Sequence, residues 1–82
     1  MALEVRDKQA LKQVGANVRA ERNRLGMSQE ELGRQTDLGQ QVISEIENAT
    51  TATNVTRFIR IAVALDLPIS RLFVEIDDLD AS

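Results

Sequence analysis

Two helix signatures set around a four-residue turn, between Ser28 and Asn48, constrain this chain more than any other feature of it. The first helix is marked in three ways: Ser28 is a good N-cap, Glu31 completes a capping box, and Met27 stands where it can staple onto Leu32. It is expected to run to about Gln35. Gly33 inside it costs about 1 kcal/mol relative to alanine, which points to a close approach by another helix at that position. Thr36-Asp37-Leu38-Gly39 reads as the turn, because Asp tolerates left-handed backbone and Gly permits it, with Leu38 directed inward. From Gln40 to Asn48, Ile43 and Ile46 form a narrow apolar stripe, while Gln40, Gln41, Ser44, Glu45 and Asn48 share the opposite face.

Two short helices around such a turn make a helix-turn-helix, whose second helix can lie in the major groove of duplex DNA. The segments GMSQEEL (26–32), ISEIEN (43–48) and IAVALDLPISRLF (61–73) resemble the Cro and lambdoid phage repressor family, also called the xenobiotic-response-element (XRE) family. The resemblance runs from about residue 15 to residue 73. It implies an all-α, five-helix DNA-binding domain, here over residues 1–74; the acids beyond the match make a separate tail at 75–82. The resemblance also implies that Gln29 contacts a DNA phosphate, and that Gln40 and Gln41, similar to a pair used by some phage repressors, read base edges beside Ser44 and Glu45. A glutamine amide that bonds adenine N6 and N7 together is worth about 1–3 kcal/mol of discrimination. Ser28, Asn48, Thr50 and Thr51 complete the expected phosphate contacts. Arg22 interrupts the apolar stripe of the first helix, and a cation among core positions needs a partner. The family's answer is Glu47, in a buried ion pair that joins the first and third helices.

The chain departs from the family pattern in four places. Gly39 stands where many members cap the second motif helix with Ser or Thr, and Ala49 stands where Gly is familiar. Glu45 replaces a residue more often neutral or basic; it can accept from cytosine N4 but repels phosphate. The loop Thr50-Thr51-Ala52-Thr53-Asn54 lacks the Lys and Arg that often clamp the DNA backbone there, which leaves hydroxyls and amides to do it.

Charge and composition narrow the function further. The net charge is −3, but Glu75, Asp77, Asp78 and Asp80 lie in the last eight residues, so residues 1–74 carry ten basic against nine acidic groups. A near-neutral body binds DNA through a local patch, for which Arg19, Arg34, Arg57 and Arg60 are the candidates. With no Cys, His, Tyr or Trp, the chain lacks disulfides, the commonest metal ligands, the usual general base and most stacking surface. No catalytic constellation, metal site or cofactor is expected. The start, MALEVRDKQALK, has no apolar core of signal-peptide length, and no run is long enough to cross a membrane, so a cytoplasmic location is expected. On that ground the glycosylation patterns at Asn48 and Asn54 read as chance.

The other helices form a scaffold. The first starts near Asp7, ends near Leu25 with Gly26 as its stop, and carries Leu11, Val14, Val18 and Leu25 on one face. The fourth spans about Asn54 to Leu65, capped by Thr53 or Asn54, with Phe58, Ile61, Ala62 and Leu65 toward the core. A second stripe on it, Val55, Ile59 and Val63, lies about 100° around and is surplus to a small core. Pro68 opens a short fifth helix with Ile69, Leu72 and Phe73. The tail keeps Val74, Ile76 and Leu79 apolar among acids; either it is frayed or it packs on a partner subunit. Val55, Ile59, Val63, Ile76 and Leu79 are the expected dimer surface.

One domain of 82 residues typically gains only about 3–5 kcal/mol from its core, which dimerisation would supplement. The expectation is a homodimeric regulator of transcription, most simply a repressor, with two recognition helices about 34 Å apart on a near-palindromic duplex site. A second class remains open: an antitoxin or other interaction module that silences a partner protein, for which the acidic, apolar-studded tail is suited.

Overall fold

The computed structural model describes residues 2–50 and 53–76, with side chains from Asp7 onward. Four α-helices, α1 (Ala2–Arg24), α2 (Gln29–Thr36), α3 (Gln40–Glu47) and α4 (Val55–Ala64), are followed by a 3-10 helix (Ile69–Phe73). The described residues include no strand. This is the all-α, five-element architecture expected, with the fifth element as 3-10 rather than α. Helix α1 begins five residues before the expected cap, and Asp7 is an exposed residue inside it. The cause is propensity: from Ala2 to Arg24 the only breaker is Gly15, so nothing stops the helix from extending.

All four α-helices close by one device. At the end of α1, the Gly26 N–H donates to Asn23 O at 3.0 Å and the Met27 N–H to Arg22 O at 3.1 Å, with Gly26 at φ 67. The same pair of bonds recurs after α2, α3 and α4, where the left-handed residue is Asp37, Ala49 or Asp66 at φ 61, 55 and 58. These are Schellman closures, which satisfy carbonyls that a helix end otherwise leaves unpaired. Asp tolerates the conformation. Ala does so only with strain of about 1–2 kcal/mol. The closure also explains Leu25, which was expected in the core stripe: the chain turns there, and the side chain is 45% exposed.

Val14 and Val18 from α1, Leu32 from α2, Ile43 and Ile46 from α3, Phe58, Ile61, Ala62 and Leu65 from α4, and Leu72 form a single core. Met27, Leu38, Val42, Leu67, Ile69 and Ile76 pack around it. Ile76 therefore lies half-buried against its own domain, which leaves it less surface for a partner than the sequence suggests; Leu79 lies outside the described residues. Phe73 is 37% exposed, and its ring meets Phe58 edge-on at 5.5 Å.

Two glycines set how closely the helices approach. A Cβ on Gly33 would come within 2.5 Å of Gln40 N and Gly39 C, so α2 packs directly on the start of α3. A Cβ on Gly15 would meet Ile46 O at 2.5 Å and Glu47 O at 2.6 Å, which brings α1 equally close to the end of α3. Helix α3 is thus held at both ends by backbone contact.

Candidate nucleic-acid interface

Helix α2 begins as its sequence predicts: Ser28 Oγ accepts the Glu31 N–H at 3.0 Å. The Glu31 carboxylate itself turns toward Arg34, 3.5 Å away. The turn then places α3 by the left-handed residues Asp37 and Gly39 (φ 91), with Thr36 buried. The Thr36 hydroxyl donates to Leu32 O at 2.8 Å and accepts the Leu38 N–H at 3.4 Å, which leaves the turn little freedom.

With Ile43 and Ile46 buried, α3 turns Gln40, Gln41 and Asn48 to solvent, and Ser44 and Glu45 are half-buried beside them. Gln41 Nε2 donates to Glu45 Oε2 at 3.1 Å, and Asn48 Nδ2 donates to Ser44 Oγ at 3.3 Å. These contacts, each four residues apart, order the polar face along its length. The first contact also gives Glu45 a neutral donor on its own helix. Gly39 supplies no side-chain cap, so the first amides of α3, at the positive end of its dipole, find no side-chain acceptor on the capping residue. Thr50 Oγ1 donates back to Glu45 O at 3.4 Å; Thr51 lies outside the described residues.

Behind this face sits Glu47, whose side chain is fully buried. Arg22 grips it with two bonds, Nε to Oε2 at 2.7 Å and Nη2 to Oε1 at 3.0 Å, and gives a third donor to Met27 O at 2.8 Å. Gln29 Nε2 donates to Glu47 Oε1 at 3.0 Å, and Arg19 Nε reaches the same oxygen at 3.4 Å. Arg19 also donates from Nη2 to Asn48 Oδ1 at 2.9 Å. One carboxylate therefore ties together α1, the start of α2 and the end of α3. Burial pushes the Glu47 carboxyl up, but hydrogen bonds from Arg22 and Gln29 and the charge of Arg22 outweigh it and hold the pKa below the ordinary value. The Glu47 hydrogen bond likewise raises Arg22, against desolvation.

The expected phosphate residues fall into one neighbourhood, at the start of α2 (Ser28, Gln29) and the end of α3 (Asn48, Thr50). Gln40 and Gln41 stand at the other end of α3, about 12 Å away along its axis. Of the four candidate arginines only Arg19 joins the Glu47 cluster. Arg34 faces Glu31, Arg57 Nη1 donates to Thr53 Oγ1 at 3.5 Å, and Arg60 Nη1 donates to Thr36 O at 3.5 Å. Gly15, which lets α1 reach α3, was not singled out by the sequence reading. The signal was available: a glycine in mid-helix is as costly there as at Gly33.

A family model described as helix-turn-helix matches residues 18–72, which reach from the second half of α1 into the 3-10 helix. The chain belongs to the XRE-type helix-turn-helix family. Over 60 residues it is 37% identical to a protein of Sinorhizobium medicae (strain WSM419) named an uncharacterized HTH-type transcriptional regulator. It is equally similar to a protein of the same description from Rhizobium meliloti (strain 1021). Each alignment covers 73% of this chain and 43% of the relative, so the chain spans less than half the length of these relatives. Among the described residues no cluster of acidic side chains is placed to hold a metal ion, and no helix is long and apolar enough to cross a membrane.

Proposed function

We propose that this domain is a sequence-specific, duplex-DNA-binding regulator of transcription, non-enzymatic and cytoplasmic, which acts as a homodimer and represses by occupying its operator. The observation that carries the reading is α3: a helix with one buried edge, a continuous polar face from Gln40 to Asn48, and close backbone contact with α2 at its start and with α1 at its end. Such a helix presents side chains to base edges without having to be ordered first. Gln40 and Gln41 at its N-terminal end, with Ser44 and Glu45 one turn on, are assigned to base readout. Ser28, Gln29, Asn48, Thr50 and Thr51 are assigned to phosphate, which fixes register and carries no sequence information itself.

Dimerisation is supported by surplus apolar surface. Val55, Ile59 and Val63 are 61%, 48% and 74% exposed along one side of α4, in a domain whose core closes without them. The same stripe favours a second reading, in which the occupant is a different protein that this chain silences. Sedimentation of the purified chain, alone and as Ile59→Asp, distinguishes the two: a dimer that the aspartate dissociates supports the first, and a monomeric wild type favours the second.

Selection of bound sequences from a random duplex library tests the function directly. A near-palindromic consensus is expected, and Gln40→Ala and Gln41→Ala should each relax it at one position per half-site without lowering the melting temperature. Failure to enrich any sequence would overturn the base-reading role of α3.

A further inference from the structure

We propose that Arg19 is a phosphate anchor in this domain, a cation delivered from α1 to the place where the loop after Asn48 has none. The inference rests on the DNA-binding reading above and deepens it. The polar residues expected to hold the DNA backbone are Ser28 and Gln29 at the start of α2 and Asn48 and Thr50 at the end of α3; all are neutral. The loop that follows, through Asn54, is neutral as well. Affinity for duplex DNA comes chiefly from cations that displace counterions, so a neutral clamp would leave the interface weak.

Among the described residues, Arg19 is the cation that reaches Glu47 and Asn48 with charge to spare; Arg57 meets the loop only at Thr53, next to the start of α4. The Arg19 side chain is 46% exposed, whereas that of Arg22 is 11% exposed and committed to Glu47 through two bonds. Arg22 and Glu47 cancel as a pair, which leaves the Arg19 charge uncompensated within the cluster. Its direction is set by two contacts, Nε on Glu47 Oε1 at 3.4 Å and Nη2 on Asn48 Oδ1 at 2.9 Å. A guanidinium carries five N–H donors in a planar fork, so these contacts leave donors for a phosphate oxygen. Gln29 Nε2 sits 3.0 Å from the same Glu47 oxygen, so the amide of α2 and the guanidinium of α1 are close enough to share one phosphate. Glu47 is then more than a structural counterion: it positions both donors.

The test measures binding to a mixed-sequence duplex, and to a selected site, as a function of salt concentration. Arg19→Gln should lower the dependence of log K on log salt by about 0.9 per subunit, weaken both duplexes equally and leave base preference unchanged. Arg71→Gln removes the same charge from the 3-10 helix, where Arg71 lies 3.6 Å from Glu21, and should leave the slope unaltered. Arg19→Lys keeps the charge but cannot span Glu47 and Asn48 together; it should retain most of the slope and lose several-fold in affinity. A wild-type chain that binds no duplex at low salt overturns the DNA-binding reading and the anchor with it. A binding wild type whose slope is unmoved by Arg19→Gln, or moved equally by Arg71→Gln, overturns the anchor alone. If Arg19→Gln fails to fold, Arg19→Met, which keeps the apolar stem without the charge, takes its place, and a salt slope unmoved by it overturns the anchor.

Discussion

Glu47 and Asn17 both lie where α1 meets another part of the chain, one an ionised carboxylate on α3 and the other a neutral amide on α1. Glu47 collects donors from three side chains and binds the motif into a unit. Asn17 is 9% exposed and splits its Nδ2 between Leu72 O at 2.9 Å and Val74 O at 3.0 Å, while Gln13 donates to its Oδ1 at 3.0 Å. It thereby pins the 3-10 helix and the chain after it to α1. The end of a short 3-10 helix leaves carbonyls unpaired, and the amide takes two of them. The comparison teaches where charge is needed. A clamp that must orient surface cations uses a carboxylate, while one that only closes the core uses a neutral group with a smaller desolvation cost.

The largest expected effect lies at the charged clamp. Glu47→Ala or Arg22→Ala should each cost about 3–5 kcal/mol, because the remaining charge stays buried without its partner. That approaches the whole stability of a domain this size, so a melting curve should show the loss plainly. The double variant should lose less than the sum of the two singles; strictly additive losses would show that the two groups do not act as a pair.

Acid should separate the clamps next. The pKa of Glu47 is lower in the folded chain than in the unfolded one, so over acid pH the unfolded state binds more protons and stability rises with pH. Its contribution is complete above the ordinary glutamate value of about 4.3 and is lost as pH falls through the depressed folded value. Glu21, held low by its Arg24 hydrogen bond, adds in the same direction at a more exposed site. Glu47→Gln should therefore flatten the acid limb of a stability–pH curve, and Asn17→Leu should leave its shape unchanged.

At the neutral clamp, Asn17→Ala should cost about 1–3 kcal/mol, since two carbonyls lose their donor. Hydrogen exchange should quicken after Pro68 and stay unchanged in α2 and α3; faster exchange throughout would mean that Asn17 supports the motif as well. The smallest effect is a gain. Ala49→Gly should relieve the left-handed strain at φ 55 and stabilise by about 0.5–1 kcal/mol, less than the strain itself because glycine also loosens the unfolded chain. Glycines at the left-handed Asp37 or Asp66 should gain less, since Asp already tolerates that backbone.

Much of the motif was legible in residue order because it is local. Ser28 reaches only to Glu31, and the stripe Ile43 and Ile46 sits within two turns of one helix. The Arg22–Glu47 contact spans 25 positions and was reached through family resemblance, prompted by a cation in an apolar stripe. Asn17 carries no comparable signal: it is one of four side-chain amides on α1, with Gln9, Gln13 and Asn23, and its acceptors are backbone carbonyls 55 and 57 positions away that no sequence pattern marks. Leu25 and Asp7 misled because helix ends depend on how the closing bonds form, and periodicity does not register them.

By itself, then, the sequence determined the helices, the turn, the core faces of α3 and α4 and the kinship of residues 18–72, all set by interactions a few residues apart or by patterns a whole family shares. The tertiary structure alone decided which polar groups share a partner. Gly15 and Gly33 allow backbones to meet, Asn17 receives the chain end, and Arg19 and Gln29 converge on one oxygen of Glu47. The reason is geometric. Spacing along a chain specifies which face a side chain occupies, but a hydrogen bond forms only within about 3.5 Å, and that closeness between distant segments exists only once the helices have packed.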